Sequence, residues 1–100
     1  MLYLTVKLFG RNAVPGEFRE YEGKALAIFR KHGGEIVVAY VPAAESVPGE
    51  TPDEIQILKI DSRARFDAFM GDPERVAMAG ERDGVIRKTE VYLSGEIVEY

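Results

Sequence analysis

The chain has 100 residues, 46% apolar and 30% charged, no cysteine, and a net charge of −4 from 13 basic and 17 acidic side chains. That is one domain with one core and no case for disorder, and the missing cysteine excludes disulfides, thiolate metal sites and cysteine nucleophiles. The acidic balance argues against a nucleic-acid partner, and no apolar run approaches the ~20 residues that span a bilayer.

Met1 leads directly into a strand pattern, with no basic region ahead of an apolar signal core, so a cytoplasmic protein is expected. Leu2, Leu4, Val6 and Leu8 alternate with Tyr3, Thr5, Lys7 and Phe9, which predicts a strand with one uniformly apolar face. Its other face is too aromatic to be plainly solvated. Residues 10–16 (GRNAVPG) form a turn-rich link, in which Pro15 suits the approach to a helix.

The next unit runs from Glu17 to Val41. At about 100° per residue, Phe18, Tyr21, Ala25, Ile28, Phe29 and His32 fall within roughly one third of the circumference of a helix, with Leu26 at the flank. Gly33 and Gly34 supply the stop, and Lys31 and His32 suit the negative end of the helix dipole. A strand follows over 35–41, with Ile36, Val38 and Tyr40 pointing one way and Val37, Ala39 and Val41 the other. A strand apolar on both faces needs cover on both.

Residues 42–53 hold three prolines (Pro42, Pro48, Pro52) and a glycine, and all their charges are acidic: Glu45, Glu50 and Asp53. A connection of this length is long for two strands. Residues 54–60 (EIQILKI) form the third strand. Asp61 or Ser62 then caps a short helix, RARFDAFM, which Gly71 ends. Asp72-Pro73-Glu74 restarts a helix that runs to about Arg82, where Asp83-Gly84 breaks it. The last segment, VIRKTEVYLSGEIVEY, is strand-like for almost its whole length, and its apolar ending is of a kind that pairs with this chain or another.

This order predicts an α+β fold of the ferredoxin-like βαββαβ type, a four-stranded antiparallel sheet with its helices on one face. Apolar residues on the uncovered face then call for a partner, and a second copy packed sheet against sheet gives a two-fold homodimer closed into a barrel.

Tyr21-Glu22 early in the helix, the GG pair before the second strand, and SRARFDAFMGDPER after the third resemble a small family within the dimeric α/β-barrel superfamily. That family is known only as a domain of unknown function. The resemblance covers most of the chain and implies the ferredoxin-like fold and the homodimer. Relatives in the superfamily include cofactor-independent monooxygenases, haem-degrading enzymes and muconolactone isomerase-like enzymes, commonly with a pocket between helices and sheet.

The chain has one histidine, His32. It is the candidate proton shuttle, since its unperturbed pKa of about 6.5 lies near neutrality. Tyr3, Tyr21, Tyr40 and Tyr92 are candidate ligand-binding hydroxyls. Lys7, Lys59, Arg87 and Lys88 lie within strands, and Arg87 is the candidate partner for an anionic group. No pair of carboxylates and histidine has metal-ligand spacing, and no phosphate-loop, dinucleotide or nucleophile-elbow motif occurs, so no metal and no cofactor are expected. Two kinds of function fit. One is a protein that binds a small organic molecule between helices and sheet, with a monooxygenase- or isomerase-like enzyme using His32 as its catalytic form. The other is a non-catalytic interaction module, acting through its barrel or the acidic loop.

Overall fold

Why the first strand leads and everything else stacks on it follows from its alternation. The computed structural model describes residues 1–11, 15–44 and 48–100, so part of the turn-rich link and Glu45 of the acidic loop lie outside the described residues. The described elements are β1 (Leu2–Gly10), α1 (Pro15–Lys31), β2 (Glu35–Tyr40), β3 (Glu54–Ile60), α2 (Arg63–Met70), α3 (Pro73–Ala77), α4 (Ala79–Val85) and β4 (Ile86–Leu93). The strands form one sheet in the order β2-β3-β1-β4, with every neighbouring pair antiparallel. This is the predicted ferredoxin-like architecture.

Register sorts the side chains. Leu4 and Val6 of β1 pair with Leu58 and Gln56 of β3 on one side and with Leu93 and Val91 of β4 on the other. That face meets the helices, where Tyr21, Phe29, Val85 and Ile86 join Leu4, Val6, Leu8, Leu58 and Ile60 in one buried cluster. Each such side chain, fully buried, stabilises the fold by roughly 1.5–3 kcal/mol.

The end of α1 shows how sequence dictates a local geometry. The Gly33 amide donates to the Arg30 carbonyl at 2.9 Å and the Gly34 amide to the Phe29 carbonyl at 3.0 Å, the paired bonds of a Schellman stop. Gly33 has a φ of 86°, which favours glycine. Gly34 is needed for a second reason: a Cβ there would sit 2.3 Å from the Phe29 ring, itself only 1% exposed. Gly34→Ala is therefore expected to destabilise the protein by about 1–3 kcal/mol, the usual penalty of overpacking a core. Urea unfolding measures this, and an unchanged midpoint would refute it.

Four features depart from the sequence reading. First, β2 carries a bulge: Ile36 pairs with Leu58, and the next pair is Val38 with Ile57. Ile36 thus faces the helices, while Val38 and Tyr40 share the opposite face with Ile57 and Ile55. The expected grouping of Ile36 with Val38 and Tyr40 is corrected, because the extra residue at Val37 flips the alternation. Second, α1 begins at Pro15 and ends at Lys31, slightly earlier than Glu17–His32. Third, the helix restarted at Asp72 breaks at Met78, and its continuation runs through Gly84 to Val85. Val85 and Ile86 are both buried, so the helix has to carry on until it delivers them to the core.

Fourth, β4 ends at Leu93. Its neighbour β1 runs out there: the Ser94 amide donates to the Tyr3 carbonyl at 2.9 Å, and the Ser94 hydroxyl accepts the Tyr3 amide at 3.0 Å. Residues 95–100 have no strand partner among the described residues, and Ile97, Val98 and Tyr100 are exposed.

The Cα extents are 39 × 34 × 16 Å and the radius of gyration is 14.0 Å, above the ~13 Å of a compact chain this long. So flat a shape is one sheet and one layer of helices. The sheet's other face is left bare, and there Tyr3, Val38, Tyr40 and Tyr92 are 41–57% exposed around the half-buried Ile55 and Ile57. Among the described residues no helix is long and apolar enough to cross a membrane.

Candidate ligand site between the helices and the sheet

A cavity of about 410 Å³ opens between the sheet and all four helices. Its floor is built by alternate residues of the central strands, Leu4, Val6 and Leu8 with Gln56 and Leu58, continued by Thr89, Val91 and Leu93 of β4. Tyr21, Glu22, Ala25, Leu26 and Phe29 of α1 form one wall, and Phe66, Phe69 and Met70 of α2 with Arg75 and Arg82 form the other. The lining is mostly apolar, with a few polar groups that converge on it.

Glu22 is the most perturbed of these. It is only 8% exposed, and its Oε1 accepts a hydrogen bond from Gln56 Nε2 at 3.0 Å. The same Gln56 nitrogen also donates to Glu54 Oε2 at 2.7 Å. Burial pushes the Glu22 carboxyl up from its ordinary 4.5 to about 7, and the charge of Glu54 adds to the rise. The Gln56 hydrogen bond and the Arg82 charge oppose it without cancelling it. Glu22 therefore exchanges a proton near neutrality, which is the property a general acid or base needs. Tyr21 beside it is raised too, chiefly by burial and then by Glu22, while Arg82 and Arg75 pull the other way.

The two arginines come from short helices. Asp72 caps α3, its Oδ1 accepting the Glu74 amide at 2.8 Å, with Pro73 at the first helical position. Arg75 Nη1 donates to the Met70 carbonyl at 3.2 Å and its guanidinium stands over the Phe69 ring at 5.1 Å. Arg82 Nη2 donates to Thr89 Oγ1 at 2.7 Å, which ties α4 to β4.

His32 does not line this cavity. Its Nε2 donates to Asp72 Oδ2 at 2.7 Å, Lys31 Nζ reaches the same oxygen at 3.1 Å, and the imidazole meets the Phe69 ring edge-on at 6.4 Å. The pair clamps the end of α1 to the turn between α2 and α3. These hydrogen bonds, that of His32 first, hold the Asp72 carboxyl well below the usual range. Such a group stabilises the fold above its ordinary value of 3.8, and the contribution fades only in stronger acid.

Of the predicted ligand-binding residues, only Tyr21 lines the cavity. Tyr3, Tyr40 and Tyr92 pair within the sheet on the bare face, opposite the helices. Arg87 lies on β4 and pairs with Glu50, which also meets Lys88 at 3.7 Å, while Lys88 covers Phe9 at 4.4 Å. Lys59 pairs with Glu35 at 3.1 Å. Arg87, Lys88 and Lys59 are thus held in ion pairs outside the cavity. Asp53 is equally occupied, accepting the Gly10 amide at 2.6 Å.

Glu22, Gln56, Arg75 and Arg82 are polar residues of the cavity lining that the sequence did not single out. The signal for Glu22 was present: at about 100° per residue it falls between Phe18 and Leu26, inside the apolar stripe. Arg75 and Arg82 stand on separate helices either side of the break at Met78, so no single helical period in the sequence links them.

Residues 9–95 match the family described as a domain of unknown function, DUF1330, and the chain belongs to that family. No curated protein matches it. Among solved structures, it is similar to a protein of unknown function from Rhodopseudomonas palustris, at 16% identity over 98% of this chain and 83% of that one, with a TM-score of 0.81. It is similar also to SnoaB, a cofactor-independent oxygenase from Streptomyces nogalater, at 14% identity over 98% and 94% of the two chains and a TM-score of 0.69. A third likeness is to a DABB family protein with a ferredoxin-like fold from Mesorhizobium loti, at 14% identity over 97% of each chain and a TM-score of 0.68. At such identities the likeness shows the fold alone, the ferredoxin-like fold.

Proposed function

We propose that the protein binds a small, mainly apolar organic molecule in the cavity between its helices and its sheet, and that it works as a homodimer. The cavity carries this reading: about 410 Å³ of mostly apolar space with a few convergent polar groups is the usual form of a small-molecule site. A buried carboxyl that ionises near neutrality costs stability, which fits a group kept for work on a ligand. The bare sheet face supports the homodimer, since an exposed apolar patch of this kind marks an interface. On this reading Tyr3, Tyr40 and Tyr92 belong to the interface, and His32 to the support of the wall formed by Phe69.

Amide-resolved NMR titration with neutral aromatic amides tests the site. Shifts should cluster on Leu26, Phe29, Phe66 and Leu93, and Leu26→Trp, which fills the cavity, should weaken binding by at least ~10-fold. Shifts confined to the bare sheet face would refute the reading.

The near-neutral carboxyl of Glu22 favours a catalytic form of the same proposal. Glu22, in place of His32, would move the proton on a bound carbonyl compound, with no metal or cofactor. SnoaB is a cofactor-independent oxygenase on the same fold.

A further inference from the structure

We infer that the natural ligand of this cavity is an organic carboxylate, its anionic head held by Arg75 and Arg82 and its apolar body enclosed by Leu26, Phe66 and Phe69. This rests on the cavity being the binding site, and it names the ligand class. The two guanidinium groups reach the cavity from separate helices, and both act on the Tyr21 hydroxyl there. Among the described residues Arg75 forms no ion pair; it is spent on the Met70 carbonyl and the Phe69 ring. Among the described residues Arg82 has Thr89 as its one side-chain hydrogen-bond partner, and the one carboxylate within ion-pair distance is the exposed Asp83 at 3.8 Å. Among the described residues no carboxylate forms an ion pair with either cation inside the cavity. Arginine is also the side chain whose planar donor fork matches a carboxylate.

The opposing charge is small. Glu22 and Tyr21 face the cavity from α1, and Glu54 of β3 is reached only through Gln56. Glu81 on α4 pairs with Lys24 at 3.0 Å, and β1 and β4 line the cavity with Leu4, Val6, Leu8, Thr89, Val91 and Leu93, none of them titratable. While Glu22 is protonated, the cavity carries two positive charges and takes an anion readily. Once Glu22 ionises, near pH 7, it competes for Arg82 and repels the ligand. Carboxylate binding should therefore weaken as pH rises through that value, with proton uptake by Glu22 accompanying it.

Matched probes separate the ligand class from the site itself. Phenylbutyrate is compared with phenylbutyramide, and naphthoate with naphthamide, by NMR titration of the intact protein. Each carboxylate should bind at least ~10-fold more tightly than its amide at about pH 6, and the advantage should shrink at least ~3-fold by about pH 8.5. Arg82→Gln should bring the two close to parity, and Glu22→Gln should abolish the pH dependence. If Arg82→Gln fails to fold, the wild-type comparison still decides. Carboxylates binding no better than their amides would overturn the carboxylate assignment and leave the cavity as the site. Failure of all four to shift the cavity residues would overturn both.

Discussion

At about pH 8, Glu22→Gln should be more stable than the wild type by about 3 kcal/mol, while near pH 4 the two should be nearly equal. Glu22 is held at about 7 in the folded chain against an ordinary 4.5. Between those values the folded state binds a proton that the unfolded state has released, so stability rises as pH falls through 7 and levels off below 4.5. Above 7 the carboxyl is ionised in both states, and only the folded state suffers for it. Glutamine keeps the shape and still accepts the Gln56 hydrogen bond without ionising. For a chain of this length the gain corresponds to more than about 10 °C in melting temperature. Urea unfolding of both proteins at matched concentrations across this range is the measurement, and taking the difference cancels every other titrating group. A difference independent of pH would show that Glu22 titrates normally.

Ile57→Asp should convert a dimer into a monomer. Ile57 sits on a central strand, paired with Thr5 and Val38 on the bare sheet face. In a face-to-face sheet pair that position is buried twice over, once in each copy. A desolvated, unpaired carboxylate there should weaken association by at least ~100-fold. The side chain points away from the helices, so the monomer should keep its fold and its circular dichroism. Sedimentation at low micromolar concentration reads the result. A wild type that is monomeric under those conditions, or a variant that dimerises as tightly as the wild type, would refute the interface.

Much of this architecture is legible in the chain. The period of two in Leu2–Leu8 and the helical stripe from Phe18 to His32 are long and regular, and the glycine pair after them admits few structures. What stayed hidden depends on neighbours. β2 is apolar at both parities, so nothing in EIVVAY marks where an extra residue sits. The break at Met78 and the run through Gly84 follow from where Val85 and Ile86 have to be delivered. His32 sits on the apolar stripe as predicted, yet its outcome depended on Asp72, 40 residues away and unpredictable as its partner. Glu22 was legible by angle, but a lone acid within a stripe means little until the sheet shows Gln56 beneath it.

The bulge at Val37 has one more consequence. Without that residue β2 would still pair Ile36 with Leu58 and Val38 with Ile57, and every side chain would keep its present face. The extra residue therefore contributes nothing to the core. What it does is interrupt the outer border of the sheet, where a regular strand would offer a ladder of free amides and carbonyls to any passing chain. The β2 edge so built resists being extended sideways into a continuous sheet. Strand addition at β2 is thereby disfavoured relative to the proposed face-to-face homodimer, whose two-fold contact would close on itself and stop at two.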